Sequence, residues 1–195
     1  MSGGASYGQA GRSLGGFVGH AGRIGQAHGL KAERATAELL DRLTTHGFTV
    51  FHSVSVRGGA ADIDHVLVGS TGVVLIDTKS WKAGTYVRLG SRTYRRCGSG
   101  LLPRRFAPGE SSSLARSVTQ MRQAGIPVAG AVVAVWPSGS GGRIGLKLMR
   151  YTGARRIAHA RRAVRAARRM AGSRGADPSV VAQVARWVQS NQERH

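Results

Sequence analysis

Asp64, Asp77 and Lys79 are the side chains whose types and spacing best suit chemistry in this sequence. The stretch from Ala61 to Trp81 reads as two short apolar strands joined by the turn Gly69-Ser70-Thr71-Gly72. A turn centred between Ser70 and Thr71 sets Asp64 opposite Asp77. Residues paired this way share a face, with Cβ atoms about 4.5–5.5 Å apart. Lys79 falls on the same face by strand alternation. Two carboxylates this close repel unless a proton or a cation stands between them. Oxygen donors of this kind are hard ligands and suit Mg2+ or Mn2+. The seven histidines show no HxxxH or HExxH spacing. The single cysteine, Cys97, excludes cysteine-rich zinc sites and a disulfide framework.

A divalent cation on carboxylates beside a lysine, in a strongly basic chain, points to metal-assisted phosphodiester hydrolysis. Lys79 would orient the attacking water or stabilise developing negative charge. A purely structural cluster, in which Lys79 neutralises Asp77 and Asp62, fits the same residues.

Composition narrows the partner. Lys and Arg total 29 against 9 Asp and Glu, a formal charge of +20, which seeks a polyanion. Only four lysines occur, Lys31, Lys79, Lys82 and Lys147, so a lysine two places after Asp77 stands out in an arginine-dominated chain. No apolar run approaches the roughly 20 residues of a membrane span. No signal-peptide pattern opens the chain, and a cytoplasmic, membrane-free setting is expected.

The elements that position the triad follow from periodicity. Residues 1–29 read as a flexible Gly-rich basic arm carrying Arg12 and Arg23, with a short helical piece near Phe17 to Ile24. Lys31 to Thr45 reads as a helix with Ala32, Thr36, Leu39, Leu40 and Leu43 on one face. Glu33 flanks that face near the helix start, where a favourable helix-dipole contact and a functional role are both open. Glu38 lies between Arg34 and Arg42 as a surface ion pair. Gly47 ends the helix, and Phe48 to Val56 follows as a strand. Arg57 to Ala60 forms a turn into the central hairpin.

Beyond it, Thr85–Leu89 and Arg92–Arg96 read as a hairpin on the sheet edge, and Leu101 to Pro108 as loop. Ser111 to Ala124 reads as a helix capped by Ser111 or Ser112, Ala129 to Trp136 as a buried strand, and Ile144 to Met149 as a short strand. Ala154 to Met170 reads as a helix. Arg155, Arg156, Arg161, Arg162, Arg165, Arg168 and Arg169 in this stretch form a candidate phosphate-contacting surface with no acid among them. Pro178 to Gln192 is a further amphipathic helix. The order predicts an α/β (α+β) fold around one mixed central sheet flanked by helices, with basic terminal extensions. Residues 30–150 form the core domain and 151–195 Arg-rich helices packing on or extending it.

Glu33 on a leading helix, then Asp64, then Asp77-Thr78-Lys79 resembles the PD-(D/E)xK nuclease superfamily. Asp62-Ile63-Asp64-His65-Val66-Leu67-Val68 with Ile76-Asp77-Thr78-Lys79-Ser80-Trp81 is similar, more closely, to the nuclease-related domain (NERD) family over roughly residues 30 to 136. Lys31-Ala32-Glu33-Arg34 resembles that family's opening helix, with Ala32 in place of its usual glycine. The resemblance implies a restriction-endonuclease-like fold and a Mg2+- or Mn2+-dependent nuclease. It implies Glu33, Asp64 and Asp77 as metal ligands and Lys79 as the catalytic lysine. It selects Asp64 over Asp62, which becomes a neighbour of Lys79. A glutamine on the family's later helix falls to Gln120 or Gln123. His65 points to the other face by alternation and reads as structural.

The expected partner is nucleic acid, DNA before RNA. Its rivals are a catalytically weak or inactive DNA-binding module on the same fold, and a basic RNA-associated protein without an active site. The scarcity of aromatics among the basic residues favours duplex backbone contacts over single-stranded bases.

Overall fold

The computed structural model describes residues 4–10, 20–56, 62–97, 103–107, 112–139 and 142–193, with residues 20–25 described by backbone alone. In chain order the elements are β1 (Ser6–Tyr7), α1 (His20–Asp41), β2 (Thr49–Val54), β3 (Ile63–Gly69), β4 (Gly72–Trp81), β5 (Gly84–Leu89), β6 (Arg92–Arg96) and β7 (Arg104–Phe106). Then come α2 (Ser113–Gln123), β8 (Val128–Pro137), β9 (Ile144–Lys147), β10 (Arg156–His159), α3 (Ala160–Ala171) and α4 (Pro178–Gln192).

The main sheet has the order β1-β2-β3-β4-β8-β10, mixing antiparallel β2-β3-β4 with parallel β4-β8-β10. Its central strands are apolar in unbroken runs such as Val73–Ile76 and Ala131–Val135 because helices cover both faces. One face gathers Phe48, Val50, Leu67, Val74, Ile76, Val132 and Ala134 under Leu40 of α1, Leu43 just beyond it and the alanines of α3. The other gathers Phe51, Val66, Val68, Leu75, Val133 and Val135 under Leu114 and Met121 of α2 and Val180 and Val184 of α4. The result is the restriction-endonuclease-like α+β fold that the sequence implies.

Several local readings are corrected. Helix α1 extends back to at least His20, into what reads as an arm, because its later turns anchor on the sheet and carry three poorly helical glycines with them. Residues 11–19 and the Arg57–Ala60 turn lie outside the described residues. The first strand is shorter than Phe48–Val56. After α1 a short 3-10 turn, Thr44–His46, ends at Gly47 in the left-handed region (φ 83°), as its glycine demands. The arginine hairpin β5-β6 does not border the main sheet. It belongs to a second sheet, β7-β6-β5-β9, in which part of the expected loop 101–108 is strand β7 and β9 runs parallel to β5.

The expected helix from Ala154 begins only at Ala160. Arg156–His159 instead pairs in parallel with Val132–Val135, and Arg155 N–H donates to the Ala131 carbonyl. Hydrogen bonding to β8 thus outweighs the helical propensity of the Ala/Arg run. Ser112 occupies the N-cap of α2 without a side-chain cap bond, and Ser111 lies outside the described residues.

Candidate active site

The β3–β4 ladder runs from Gly69↔Gly72 to His65↔Ile76, and continuing that register sets Asp64 against Asp77. The turn is tight because Gly72 adopts φ 118°, where a Cβ would also run into the Pro127 carbonyl oxygen. Past the last backbone pair, the Asp64 carboxylate takes over a ladder position: its Oδ2 accepts from Thr78 N–H at 2.5 Å. Lys79 Nζ donates to Asp77 Oδ1 at 2.9 Å, with side-chain exposures of 28% for the lysine and 16% for the aspartate. Asp64, Asp77 and Lys79 therefore meet at one strand end. Asp62, expected near Lys79, makes no ion pair with it.

Glu33 comes from α1 and is buried. Thr36, one turn further on, locks that helix to β4. Its Oγ1 donates to the Ala32 carbonyl and accepts from Thr78 Oγ1 (3.2 Å) and Trp136 Nε1 (2.8 Å). Alternation along β4 turns Thr78 toward α1 and Asp77 and Lys79 to the opposite face. Glu33 is close enough to Asp64 for its charge to raise the Asp64 pKa. Among the described residues no three His, Cys, Asp or Glu side chains form a ready-made coordination group.

Burial, then the charges of Asp77 and Glu33, push the Asp64 carboxyl well above the usual range, against Lys79 and the Thr78 N–H. Burial raises Asp77 as well, opposed by Lys79 and by the hydroxyl of Tyr151. Burial alone would lower Lys79, but Asp77 and Asp64 outweigh it and hold the ammonium above the ordinary lysine range. Asp77 Oδ2 is buried and makes no hydrogen bond among the described residues. A carboxylate pair with an unused buried oxygen fits a hard divalent cation. Mg2+ characteristically takes one or two carboxylates and fills its remaining positions with water and phosphate.

Tyr151 is the participant that sequence reasoning missed. It is buried and faces Asp77 and Lys79 from the segment between β9 and β10. A lone aromatic between Arg150 and Thr152 gives no periodic or motif signal. Of the two glutamines, Gln120 is half-buried on α2 and Gln123 is exposed.

His65 lies on the α1 side, fully buried, with Nδ1 2.7 Å from Nδ1 of His52. His52 Nε2 reaches Asp41 Oδ1 at 3.0 Å, and Ser6 Oγ donates to that same oxygen at 2.8 Å. Burial, then His52, hold the His65 pKa well below the ordinary histidine value. This polar chain braces β1, α1, β2 and β3.

The seven candidate phosphate-binding arginines are all exposed but do not share one helix. Arg155 precedes β10, Arg156 begins it, and the other five lie on α3. The C-terminal end of α3 is tied to the hairpin turn: Thr71 Oγ1 donates to the Met170 carbonyl and Thr71 N–H to that of Ala171. That turn is about 20 Å along β4 from Asp77, at roughly 3.3 Å per residue. Arg168 and Arg169 therefore sit far from the carboxylates.

A mixed sheet with two aspartates and a lysine at the end of neighbouring strands, under a leading helix that carries a glutamate, is the arrangement of a nuclease-like fold. The model of the nuclease-related domain, NERD, matches residues 28–134, more than half of the chain, and the chain belongs to that family. No curated protein and no solved structure matches it. No helix among the described residues is long and apolar enough to cross a membrane.

Proposed function

We propose that this protein is a divalent-metal-dependent nuclease that hydrolyses phosphodiester bonds in DNA. The observation that carries the reading is the Lys79–Asp77 contact at 2.9 Å beside Asp64, whose carboxylate is fixed by Thr78 N–H. Asp64 and Asp77 would hold Mg2+ or Mn2+, with Glu33 adding negative charge from α1. Such an ion supplies Lewis acidity toward phosphate and water.

The chain's own groups do the rest. Lys79 presents an ammonium held by Asp77, so it serves as a fixed positive charge for the developing phosphorane oxygens. Thr78 N–H keeps Asp64 aimed, and the Tyr151 hydroxyl limits the freedom of Asp77. The Thr36–Thr78–Trp136 bonds keep the Glu33 helix seated on the catalytic strand.

Incubation of supercoiled plasmid with wild type, Asp77→Ala and Lys79→Ala, in Mg2+, Mn2+ or EDTA, tests the reading. Nicking by wild type, abolished by EDTA and by either substitution, is the expected result. Lys79→Ala should still bind metal and DNA. Full cleavage by Lys79→Ala would refute the mechanism. Equal DNA retardation without cleavage by any protein would favour a binding module instead.

A further inference from the structure

The second sheet has two unlike faces. Its register aligns Arg104, Arg95, Tyr86 and Leu146 in one row across the strands, and Phe106, Thr93 and Arg88 in the next. This face packs inward: Tyr86 and Phe106 meet the Trp81 ring at 4.9 and 5.0 Å and each other at 4.7 Å. The opposite face carries the row Arg105, Tyr94, Val87 and Lys147, flanked by Arg92 and Arg96. Those three arginines and the lysine are exposed, and Leu89 beside Arg92 is 59% exposed.

Nothing acidic competes nearby in sequence. Between Asp77 and Asp177 the chain has a single carboxylate side chain, Glu110. Two residues, Lys82 and Ala83, separate this sheet from the catalytic strand. Three bonds make the junction stiff. Tyr86 Oη donates to the Lys82 carbonyl (2.5 Å), Arg95 Nη2 to the Ala83 carbonyl (2.7 Å), and Arg88 Nη1 to the Arg150 carbonyl (3.1 Å), next to Tyr151. The outer face is thus held in fixed relation to Asp77 and Lys79, whereas the C-terminal end of α3, with Arg168 and Arg169, is anchored at the far turn.

We propose that the outer face of this second sheet, through Arg92, Arg96, Arg105 and Lys147, is the surface that seats duplex DNA for the Asp64–Asp77–Lys79 site. The proposal rests on the nuclease reading of that site and names the substrate surface it uses. Four strands at about 4.8 Å spacing give a cationic platform about 14 Å wide. Cations rim the face and a single aromatic, Tyr94, lies within it. Phosphates, rather than stacked bases, are its match.

The test is a salt titration of full-length protein on a fluorescent duplex in EDTA, read by anisotropy, so that binding is measured apart from cleavage. Arg92→Ser/Arg96→Ser/Arg105→Ser/Lys147→Ser is compared with Arg161→Ser/Arg165→Ser/Arg168→Ser/Arg169→Ser, which removes the same charge from α3. The outer-face variant should bind at least about ten-fold more weakly. Its slope of log affinity against log salt should drop by about 3.6, the roughly 0.9 per phosphate contact expected for B-DNA over four contacts. The α3 variant should stay within about three-fold of wild type.

The corresponding all-lysine version of the outer face should recover the salt slope, which separates charge loss from misfolding. Wild-type affinity in the outer-face serine variant, with the loss falling on the α3 variant, would overturn the proposal. So would tighter binding to phosphatidylserine vesicles or to single strands than to duplex. A wild type that binds through this face yet never cuts would overturn the nuclease reading and leave the surface standing.

Discussion

Tyr151 and Asp77 show what a single hydroxyl contributes here. The ring is buried in the core, so Tyr151→Phe should keep its packing while removing a hydrogen bond to the Asp77 carboxyl, at some cost in stability. A hydrogen bond to a charged group is worth roughly 1.5–3 kcal/mol. Cleavage by Tyr151→Phe should therefore fall about ten-fold or more, with duplex binding in EDTA unchanged. An unaltered turnover number would show that Tyr151 only packs. Asp64, Asp77 and Lys79 were legible in the sequence because a hairpin's symmetry is local: once the turn is placed, opposition and alternation follow. Tyr151 was not, because its place depends on β9 and β10 bringing a distant segment back over the strand end. The placement of the helix that carries Glu33 was equally hidden, since only the Thr36–Thr78 contact reveals which face of β4 it covers.

At the scale of elements, β2 and β3 are joined by the His52–His65 contact as well as by their ladder. The buried His65 is held neutral, with its pKa well below the unfolded value of about 6.5. The unfolded chain therefore takes up a proton first as pH falls. This contribution to stability is complete above about pH 6.5 and declines below it, by at most about 1.4 kcal/mol per pH unit. The raised carboxyls of Asp64 and Asp77 act in the opposite sense, losing stability as pH rises through their range. The comparison of wild type with His65→Asn in chemical denaturation isolates the histidine. The variant should be less stable at pH 7.5, and the gap should narrow toward pH 5; a constant gap would contradict a neutral buried His65.

Elements with a strong pattern of their own, α2, β8, α4 and the two hairpins, were readable from periodicity and turns even where their partners are distant in sequence. The boundary between β10 and α3 was not. Arg156–His159 has no strand signature strong enough to override a helical composition, and only contact with β8 decides its state.

The whole molecule carries its charge unevenly, and composition reveals the excess but not its arrangement. Which arginines share a surface depends on the second sheet, whose strand β7 has only three residues, and on the splitting of the C-terminal arginine run. The NERD match ends at Ala134, within β8, while β10 pairs alongside β8 from well beyond that point. A version ending at residue 150 would retain Asp64, Asp77 and Lys79 and lose Tyr151. It would also lay bare the edge of β8 along Val132–Val135, whose backbone groups lose their β10 partners, a template for adding strands from other copies. Light scattering of that shortened protein should show self-association where the full chain is monodisperse under the same conditions. A soluble, monodisperse short form would mean that β8 tolerates an open side. On this reading the arginine-rich tail serves the molecule first as a guard against polymerisation.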